Sequence, residues 1–314
     1  MRSKVVTVFG GSGFIGRYVV QRLAERDATI RVPTRHPDQA IHLKPLGAVG
    51  QIVLEPWVPG VESEVERMLA GADMAVNLIG ILFEPRVGDF ARLQGELPGL
   101  IGRAAARLGL ERVVHVSAIG ADANSASEYA RTKAVGEAAL KAAFPRATIL
   151  RPSIVIGPED GFFNRFARIA GISPALPLIG GGHTRFQPVY VGDVADAVLA
   201  ALTRDDAPGR TYELGGPTVY TFKELMSYLL RVTGKRRLLV NLPFSAAARL
   251  GRLLQRLPVP PLTEDQVVLL QQDNVVAPGA AGLAELGIQP TPLEVVVPTY
   301  LRAYARPAVH MPVM

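Results

Sequence analysis

The chain has 314 residues, of which 48% are hydrophobic and 20% are charged. This balance is typical of globular domains and excludes collagen, coiled coils and disordered tails, and about 150 residues per domain predicts two domains. Lys and Arg outnumber Asp and Glu by 34 to 28, a net charge of +6 that is spread along the chain. Because no block of like charges forms a basic arm, we expect no nucleic-acid partner.

Strands and helices alternate through the first half of the chain. Short β-branched or apolar runs predict the strands, and apolar residues at helical spacing predict the helices between them. The predicted strands are 5–9, 29–32, 51–54, 74–79, 112–116 and 147–150, and the predicted helices are 14–26, 62–69, 93–108 and 127–144. This alternation predicts the α/β class, with a doubly wound parallel sheet of Rossmann type and helices on both faces.

The alternation becomes less regular after about Pro152. Loops rich in glycine are predicted at 157–161 and 180–182, a helix at 191–202, and a seventh strand of the same sheet at 212–214. We therefore expect a Rossmann domain over residues 1–155. A smaller, mostly helical C-terminal region over 156–314 is expected to be interleaved with a last Rossmann strand near 211–214.

Gly10, Gly13 and Gly16 lie in the turn between the first predicted strand and the first predicted helix. Glycine permits the tight turn, leaves the backbone open to a pyrophosphate, and lets the helix pack close to the strand. The N-terminus of the helix offers free N–H groups to phosphate. The turn therefore predicts a bound dinucleotide.

The residues after the second predicted strand indicate which dinucleotide this is. Proteins that bind NAD usually carry Asp or Glu there, whereas a guanidinium can grip the 2′-phosphate of NADP. Arg35 occupies this place. We therefore favour NADP(H), preferably NADPH, while the nearby Asp38 leaves NAD(H) open.

Tyr129 and Lys133 lie four residues apart in a predicted helix, so their side chains share one face. The ammonium group is expected to lower the pKa of Tyr129, which would then donate a proton to a carbonyl that accepts hydride. Ser117 ends the fifth predicted strand, where its hydroxyl would orient that carbonyl. A surface pair without a catalytic role is the alternative explanation for the tyrosine and the lysine.

These motifs resemble the short-chain dehydrogenase/reductase superfamily, in the extended or atypical branch that includes the NAD-dependent epimerases and dehydratases. Longer stretches are similar to the family of the NADPH-binding accessory subunit of respiratory complex I; these are 9–20, 42–47, 129–137, 187–194 and 286–294. The resemblance implies tight NADPH binding without established turnover, and docking on the complex. It also implies cofactor contacts by Gly10, Ser12, Gly13, Phe14, Ile15, Arg35, Asn77, Val116, Tyr129, Lys133, Pro152 and Ile154.

Three functions stay open from the sequence. The first is an NADP(H)-binding protein with a structural, regulatory or assembly role in respiratory complex I. The second is a free NADP(H)-dependent oxidoreductase that acts on a hydrophobic carbonyl or quinone-related substrate through Ser117, Tyr129 and Lys133. The third is a nucleotide sensor with the same fold, which the sequence does not separate from the first.

A basic amphipathic helix is predicted at 244–257. Three arginines share one side of it, and four leucines share the adjoining side. The favoured interpretation is a surface helix whose leucines pack in the core and whose arginines face water. The alternative is a helix that lies on an anionic membrane or in a groove of a partner. The residues are Arg249, Arg252, Arg256, Leu250, Leu253, Leu254 and Leu257.

The sequence contains no cysteine, which excludes disulfides, thiol catalysis and thiolate metal sites. The five histidines, His310 among them, show no metal-ligand spacing, so we expect no metal site. No apolar run approaches the ~20 residues of a membrane-spanning helix, and the N-terminus leads directly into a strand rather than a targeting segment. We expect a cytoplasmic protein, peripheral at most on the inner face of an energy-transducing membrane.

Overall fold

The computed structural model describes residue 1 and residues 3–305 of the chain. The strands are β1 (Val5–Phe9), β2 (Thr29–Thr34), β3 (Ile52–Pro56), β4 (Met74–Asn77), β5 (Arg112–Val116), β6 (Thr148–Pro152), β7 (Val155–Ile156), β8 (Ala175–Ile179), β9 (Arg185–Phe186), β10 (Val189–Tyr190), β11 (Thr211–Leu214), β12 (Tyr220–Thr221) and β13 (Leu238–Leu242). The α-helices are α1 (Phe14–Ala24), α2 (Glu62–Leu69), α3 (Leu97–Leu108), α4 (Glu128–Ala143), α5 (Phe163–Ile172), α6 (Val191–Thr203), α7 (Phe222–Val232), α8 (Phe244–Leu254), α9 (Glu264–Leu269) and α10 (Leu293–Leu301). Shorter helical segments of 3₁₀ type lie at 37–46, 180–182 and 302–304.

Seven parallel strands form the central sheet in the order β11-β6-β5-β4-β1-β2-β3. The predicted doubly wound parallel sheet is therefore confirmed, and its seventh strand is β11. The strand order reverses beside β1, whose next neighbour on one side is β4 and on the other is β2. Open parallel sheets bind ligands at the carboxyl ends of the strands at such a point.

Residues of one strand alternate between the two faces of the sheet, so each face has its own core. Val8 of β1 packs with α1 and α6 on one face, and its neighbour Phe9 packs with α2, α3 and α4 on the other. Both side chains are fully buried. Near-continuous burial on both faces is what a parallel sheet covered by helices requires.

A third core lies in the C-terminal region, where α5, α7 and α10 surround Phe163, Phe222 and Val297. This region is largely helical, as predicted, and it also contains the short sheets β7–β10, β9–β12 and β8–β13. The division of the chain at residue 155 remains a prediction.

The helix predicted at 93–108 is divided in the structure. Residues 91–96 form a π-helical turn, and α3 begins at Leu97. Gly136 of α4 packs against this turn so closely that a Cβ on it would lie 2.0 Å from the backbone oxygen of Gln94. The wide turn and the missing side chain together let α4 lie against the segment before α3.

The favoured interpretation of the helix at 244–257 is correct for the arginines, which face water, and wrong for most of the leucines. In the structure α8 ends at Leu254 and buries Ala247 and Gly251 against α9, because these two small residues permit a close approach. Three of the four leucines that were expected in the core are exposed instead, with exposed fractions of 41% for Leu250, 63% for Leu253 and 49% for Leu257, and Leu254 is half-buried. We call the exposed leucines and arginines of residues 249–257 the α8 surface.

Candidate functional site

The backbone turns sharply after β1, and the space around this turn is too narrow for side chains. Gly10 has a φ of +79°, and a Cβ on it would lie 3.2 Å from the backbone nitrogen of Ile79. A Cβ on Gly16 would lie 2.3 Å from the backbone oxygen of Gly10. Gly13 precedes α1 as its N-cap, so α1 starts directly against the turn.

The N-terminus of α1 has no partner of its own among the described residues. No side chain caps it, and its first turn contains no acidic residue. The free N–H groups and the positive end of the helix dipole therefore favour an anion at this place.

A cleft of about 840 Å³ opens at this turn. Its walls come from the carboxyl ends of β1, β2, β3 and β4 and from the segment after β4. Residues that line it include Gly10, Ser12, Gly13, Thr34, Arg35, His36, Gln39, Trp57, Val58, Leu78, Ile79, Gly80, Ile81, Arg86, Asp89, Arg92 and Leu93.

Arg35 lies at the end of β2 with its side chain exposed to the cleft. Among the described residues it makes no hydrogen bond or ion pair, in contrast to Arg92 on another wall, which pairs with Asp89 at 2.6 Å. A free guanidinium in a cleft can make bidentate contacts with phosphate.

Polar groups without partners lie beneath the carboxyl ends of β4 and β5. Asn77 is fully buried; its Oδ1 accepts a hydrogen bond from the backbone N–H of Ile79 at 3.1 Å, while its Nδ2 has no partner within the part of the chain that the structure describes. The buried Oγ of Ser117 also has no partner in residue 1 or residues 3–305. Unpaired buried polar atoms are costly, so they indicate a place for an additional hydrogen-bonding group.

The ammonium group of Lys133 lies between these residues and the cleft. It donates a hydrogen bond to the backbone oxygen of Val116 at 3.3 Å. A Cβ on Gly80, a residue of the cleft wall, would lie 3.1 Å from Lys133 Nζ. Lys133 thus borders the cleft beside Gly80, and Tyr129 lies one helical turn before it on α4.

The expected electrostatics of Tyr129 and Lys133 are reversed in the structure. Burial, with a smaller contribution from the charge of Asp265, raises the pKa of Tyr129 to about 12, although the sequence predicts that Lys133 lowers it. Burial also lowers the pKa of Lys133 to about 8, against a smaller opposing effect of Glu137. Desolvation is the main cause of both pKa shifts, because Lys133 is buried and Tyr129 is half-buried, and neither residue contributes to the pKa shift of the other.

The structure brings together only part of the predicted site. Gly10, Ser12, Gly13 and Arg35 line one cleft. The other candidates are not among its lining residues; these are Phe14, Ile15 and Gly16 in the first turn of α1, Asn77, Val116 and Ser117 at the ends of β4 and β5, Pro152 and Ile154 at and after the end of β6, and Tyr129 and Lys133 on α4.

Three cleft residues and one second-layer residue were missed by the sequence analysis. Trp57 follows β3, and Arg86 and Arg92 follow β4. For Trp57 the available signal was its position directly after a parallel strand, since such residues lie at one edge of the sheet. Arg86 and Arg92 lie farther along the segment after β4 and carried no such signal. Asp265, which reaches α4 from α9, had no local signal because it follows Tyr129 by 136 residues.

Comparison with known proteins assigns the family. Residues 6–215 match the NAD dependent epimerase/dehydratase family. The chain belongs to this family. Its fold agrees with that of the dTDP-glucose 4,6-dehydratase of Streptomyces venezuelae, solved with NAD and TYD bound, with a TM-score of 0.72 at 20% identity over 96% of each chain.

Curated relatives extend over nearly the whole chain. Subunit 9 of the NADH dehydrogenase [ubiquinone] 1 alpha subcomplex, mitochondrial, from Mus musculus is 36% identical over 293 residues, which cover 92% of this chain and 78% of the relative. A ceramide reductase of Caulobacter vibrioides is 29% identical over 252 residues, covering 80% and 77%. The resemblance to the complex I accessory subunit and to the short-chain dehydrogenase/reductase superfamily is thus confirmed.

The residues of the cleft fit the dinucleotide for which the family is named. The glycine turn leaves room for a diphosphate against the backbone, and the uncapped N-terminus of α1 can neutralise its charge. Lys133, Asn77 and Ser117 offer polar groups beyond the turn. A bound NAD(P) would supply hydride chemistry; the chain itself binds and orients it.

Two further expectations concern metals and membranes. Within residue 1 and residues 3–305, no group of three or more His, Asp or Glu side chains could hold a metal ion. His310 lies outside the described residues. In the same part of the chain, none of the helices combines the length and the apolar character needed to cross a membrane.

The depressed pKa of Lys133 predicts a pH-dependent stability. Between about pH 8 and pH 10.5 the unfolded chain binds a proton at this residue that the folded chain has lost, so folding becomes more favourable as the pH rises. Without nucleotide, we expect the wild type to gain on the order of 3 kcal/mol over this range relative to Lys133→Met. Urea unfolding at several pH values measures this difference, and parallel curves for the two proteins would contradict it.

Proposed function

We propose that this chain is an NADP(H)-binding protein of respiratory complex I with a structural, regulatory or assembly role. The observation that carries the proposal is the 36% identity to a complex I subunit over 92% of the chain. Similarity of that extent includes the cleft, α4 and the C-terminal region together, whereas a shared nucleotide fold alone would favour no partner.

Binding without turnover agrees with the geometry around α4. Ser117 and Tyr129 are not among the residues that line the cleft, and Lys133 only borders it beside Gly80. A phenol with a pKa of about 12 holds its proton at neutral pH and is a weak acid toward a carbonyl. These residues therefore support retention of the nucleotide better than rapid proton transfer.

Arg35 supports NADP(H) over NAD(H). Its guanidinium faces the cleft without a carboxylate partner among the described residues, and the end of β2 carries no acidic residue to hold ribose hydroxyls. Asp38, which could have served NAD(H), is exposed and lies outside the cleft lining.

The α8 surface supports a peripheral position on the inner, cytoplasmic face of an energy-transducing membrane. Its exposed leucines offer apolar area, and Arg249 and Arg256 add positive charge that suits anionic lipid. Arg252 is paired with Glu264, so it contributes less.

Assembly with the complex is tested by capture of a tagged chain from membranes of its own host. We expect the other subunits of complex I to be captured with it after mild detergent, because the chain is similar to a subunit over most of its length. Cells with the untagged chain serve as control. A tagged chain recovered only as a monomer, without respiratory subunits, would contradict the proposal.

Cofactor preference is tested through Trp57, the single tryptophan, which lines the cleft. Energy transfer from its indole to a bound reduced nicotinamide reports binding of NADPH and NADH. Arg35→Ala is expected to weaken NADPH binding by about tenfold to a hundredfold, which corresponds to the free energy of a hydrogen bond between charged groups. The affinity for NADH is expected to stay unchanged. Arg26→Ala, an exposed arginine outside the cleft, is the control. Equal loss for both nucleotides would refute the 2′-phosphate contact.

Membrane contact is tested by sedimentation with phosphatidylglycerol vesicles. The wild type is expected to bind and to be released by salt, which screens the arginines. Leu253→Glu should abolish binding, whereas Leu108→Glu, an exposed leucine on α3, should not. Equal sedimentation of both variants would exclude the α8 surface as the contact.

A free oxidoreductase that acts on a hydrophobic carbonyl is the second candidate, favoured by the similarity to a ceramide reductase and by the presence of Ser117, Tyr129 and Lys133. If a carbonyl lipid is reduced, Tyr129→Phe is expected to lower the rate by about two orders of magnitude or more, the usual contribution of a general acid, with NADPH affinity retained. A rate that persists in the variant would exclude Tyr129 as the proton donor.

A further inference from the structure

The N-terminus of α4 is held by a carboxylate from the C-terminal region. Asp265 Oδ1 accepts a hydrogen bond from the backbone N–H of Glu128 at 2.7 Å, and Oδ2 accepts one from Ser127 Oγ at 2.8 Å. The backbone N–H of Tyr129 lies 3.4 Å from the same Oδ2. Ser127 Oγ in turn accepts from the N–H of Ala130 at 3.3 Å. The first three N–H groups of α4 are thus all satisfied.

This arrangement differs from the caps on two helices of the C-terminal region. Thr221 with Glu224 on α7, and Thr263 with Gln266 on α9, form capping boxes from residues within the same helix. On α4 the local cap, Ser127, is joined by Asp265, which lies 138 positions later in the chain and accepts the hydrogen bond of the Ser127 hydroxyl. The place of α4 therefore depends on where α9 lies.

A charged cap at this terminus acts on the segment of α4 that carries Tyr129 and Lys133. Tyr129 belongs to the first turn of α4, and Lys133 follows one turn later, beside Gly80 of the cleft wall. A carboxylate at a helix N-terminus also stabilises the helix through its dipole. Loss of the cap would release the first turn, which carries Tyr129.

The short helix α9, which carries Asp265, also contacts another wall of the cleft. Gln266 Nε2 donates a hydrogen bond to the backbone oxygen of Leu82 at 3.1 Å, next to Ile81 in the cleft lining. The ring of Phe90, from the same segment, meets the ring of Tyr129 edge-on with centroids 6.0 Å apart. Through Asp265 and Gln266, α9 thus joins α4 to the segment after β4.

α9 also packs against α8. Gly251 packs so closely that a Cβ on it would lie 2.8 Å from the carbonyl carbon of Thr263. Glu264, the neighbour of Asp265, forms a bidentate ion pair with Arg252. Because Glu264 turns toward α8 and Asp265 toward α4, the two adjacent carboxylates serve different contacts and can be changed separately.

We propose that Asp265 is a positioning residue of the dinucleotide site, which keeps Tyr129 and Lys133 in place at the nicotinamide end of the bound nucleotide. This inference rests on the proposed function, since it requires a nucleotide in the cleft. The adenosine phosphates would be held by other elements, namely the glycine turn and Arg35, whereas the hydrogen bonds of Asp265 go to α4 and its N-cap. Substitution of Asp265 should therefore weaken the binding of the nicotinamide half of the ligand and leave the binding of the adenosine half unchanged.

The test compares NADPH with 2′,5′-ADP, which has the adenosine phosphates but no nicotinamide. Calorimetry is expected to show that Asp265→Asn, which keeps only one of the two acceptor oxygens, weakens NADPH binding by about fivefold, the loss of about one hydrogen bond, and leaves 2′,5′-ADP binding unchanged. Asp265→Glu, which keeps the charge at a longer reach, should recover part of the NADPH affinity and provides the measurement if the Asn variant does not fold. Glu264→Gln, which removes the adjacent charge without touching α4, should bind both ligands as the wild type does.

The possible outcomes are distinct. Equal weakening of both ligands in Asp265→Asn would indicate a general loss of structure and would overturn the positioning role. Unchanged NADPH affinity in both Asp265 variants would also overturn it. A wild type that binds 2′,5′-ADP and NADPH with the same affinity would show that the nicotinamide end makes no contact, and would overturn the inference while leaving the proposed function intact. A wild type that binds neither ligand would overturn the proposed function itself.

Discussion

The nucleotide cleft depends on how closely the start of α1 approaches the turn after β1. A Cβ on Gly16 would lie 2.3 Å from the backbone oxygen of Gly10, so any larger side chain would push the helix away from the sheet. That close approach directs the uncapped N–H groups of α1 into the space that β1 and β4 leave between their carboxyl ends. Every other feature of the site is arranged around this anion-binding terminus.

Most of the fold could be predicted because its elements are locally encoded. β1 and β5 are short, β-branched runs, and α2 has clear helical spacing; their predicted ends coincide with the observed ends. The π-helical turn before α3 could not be predicted, because it accompanies the close packing of Gly136, which lies on a helix distant in sequence. The exposure of the α8 leucines was also missed, since an amphipathic pattern does not indicate which face of α8 is covered by α9.

The site was predictable to the extent that one turn or one strand end encodes it. Gly10, Gly13 and Arg35 were found because sequence position alone places them at the edge of the sheet. The pKa values of Tyr129 and Lys133 were not, because they depend on burial, which spacing along a helix does not reveal. Asp265 shows the same limit, since it joins α4 only through the tertiary fold.

The seventh strand has a consequence for synthesis of the chain. β6 pairs along one edge with β5 and along the other with β11, which lies about sixty residues later. While the first 155 residues emerge from the ribosome, that edge of the sheet therefore has no neighbour, and unpaired edges readily join strands of other chains. A nascent chain paused before residue 211 would be vulnerable to aggregation, and rapid translation across this stretch would protect it.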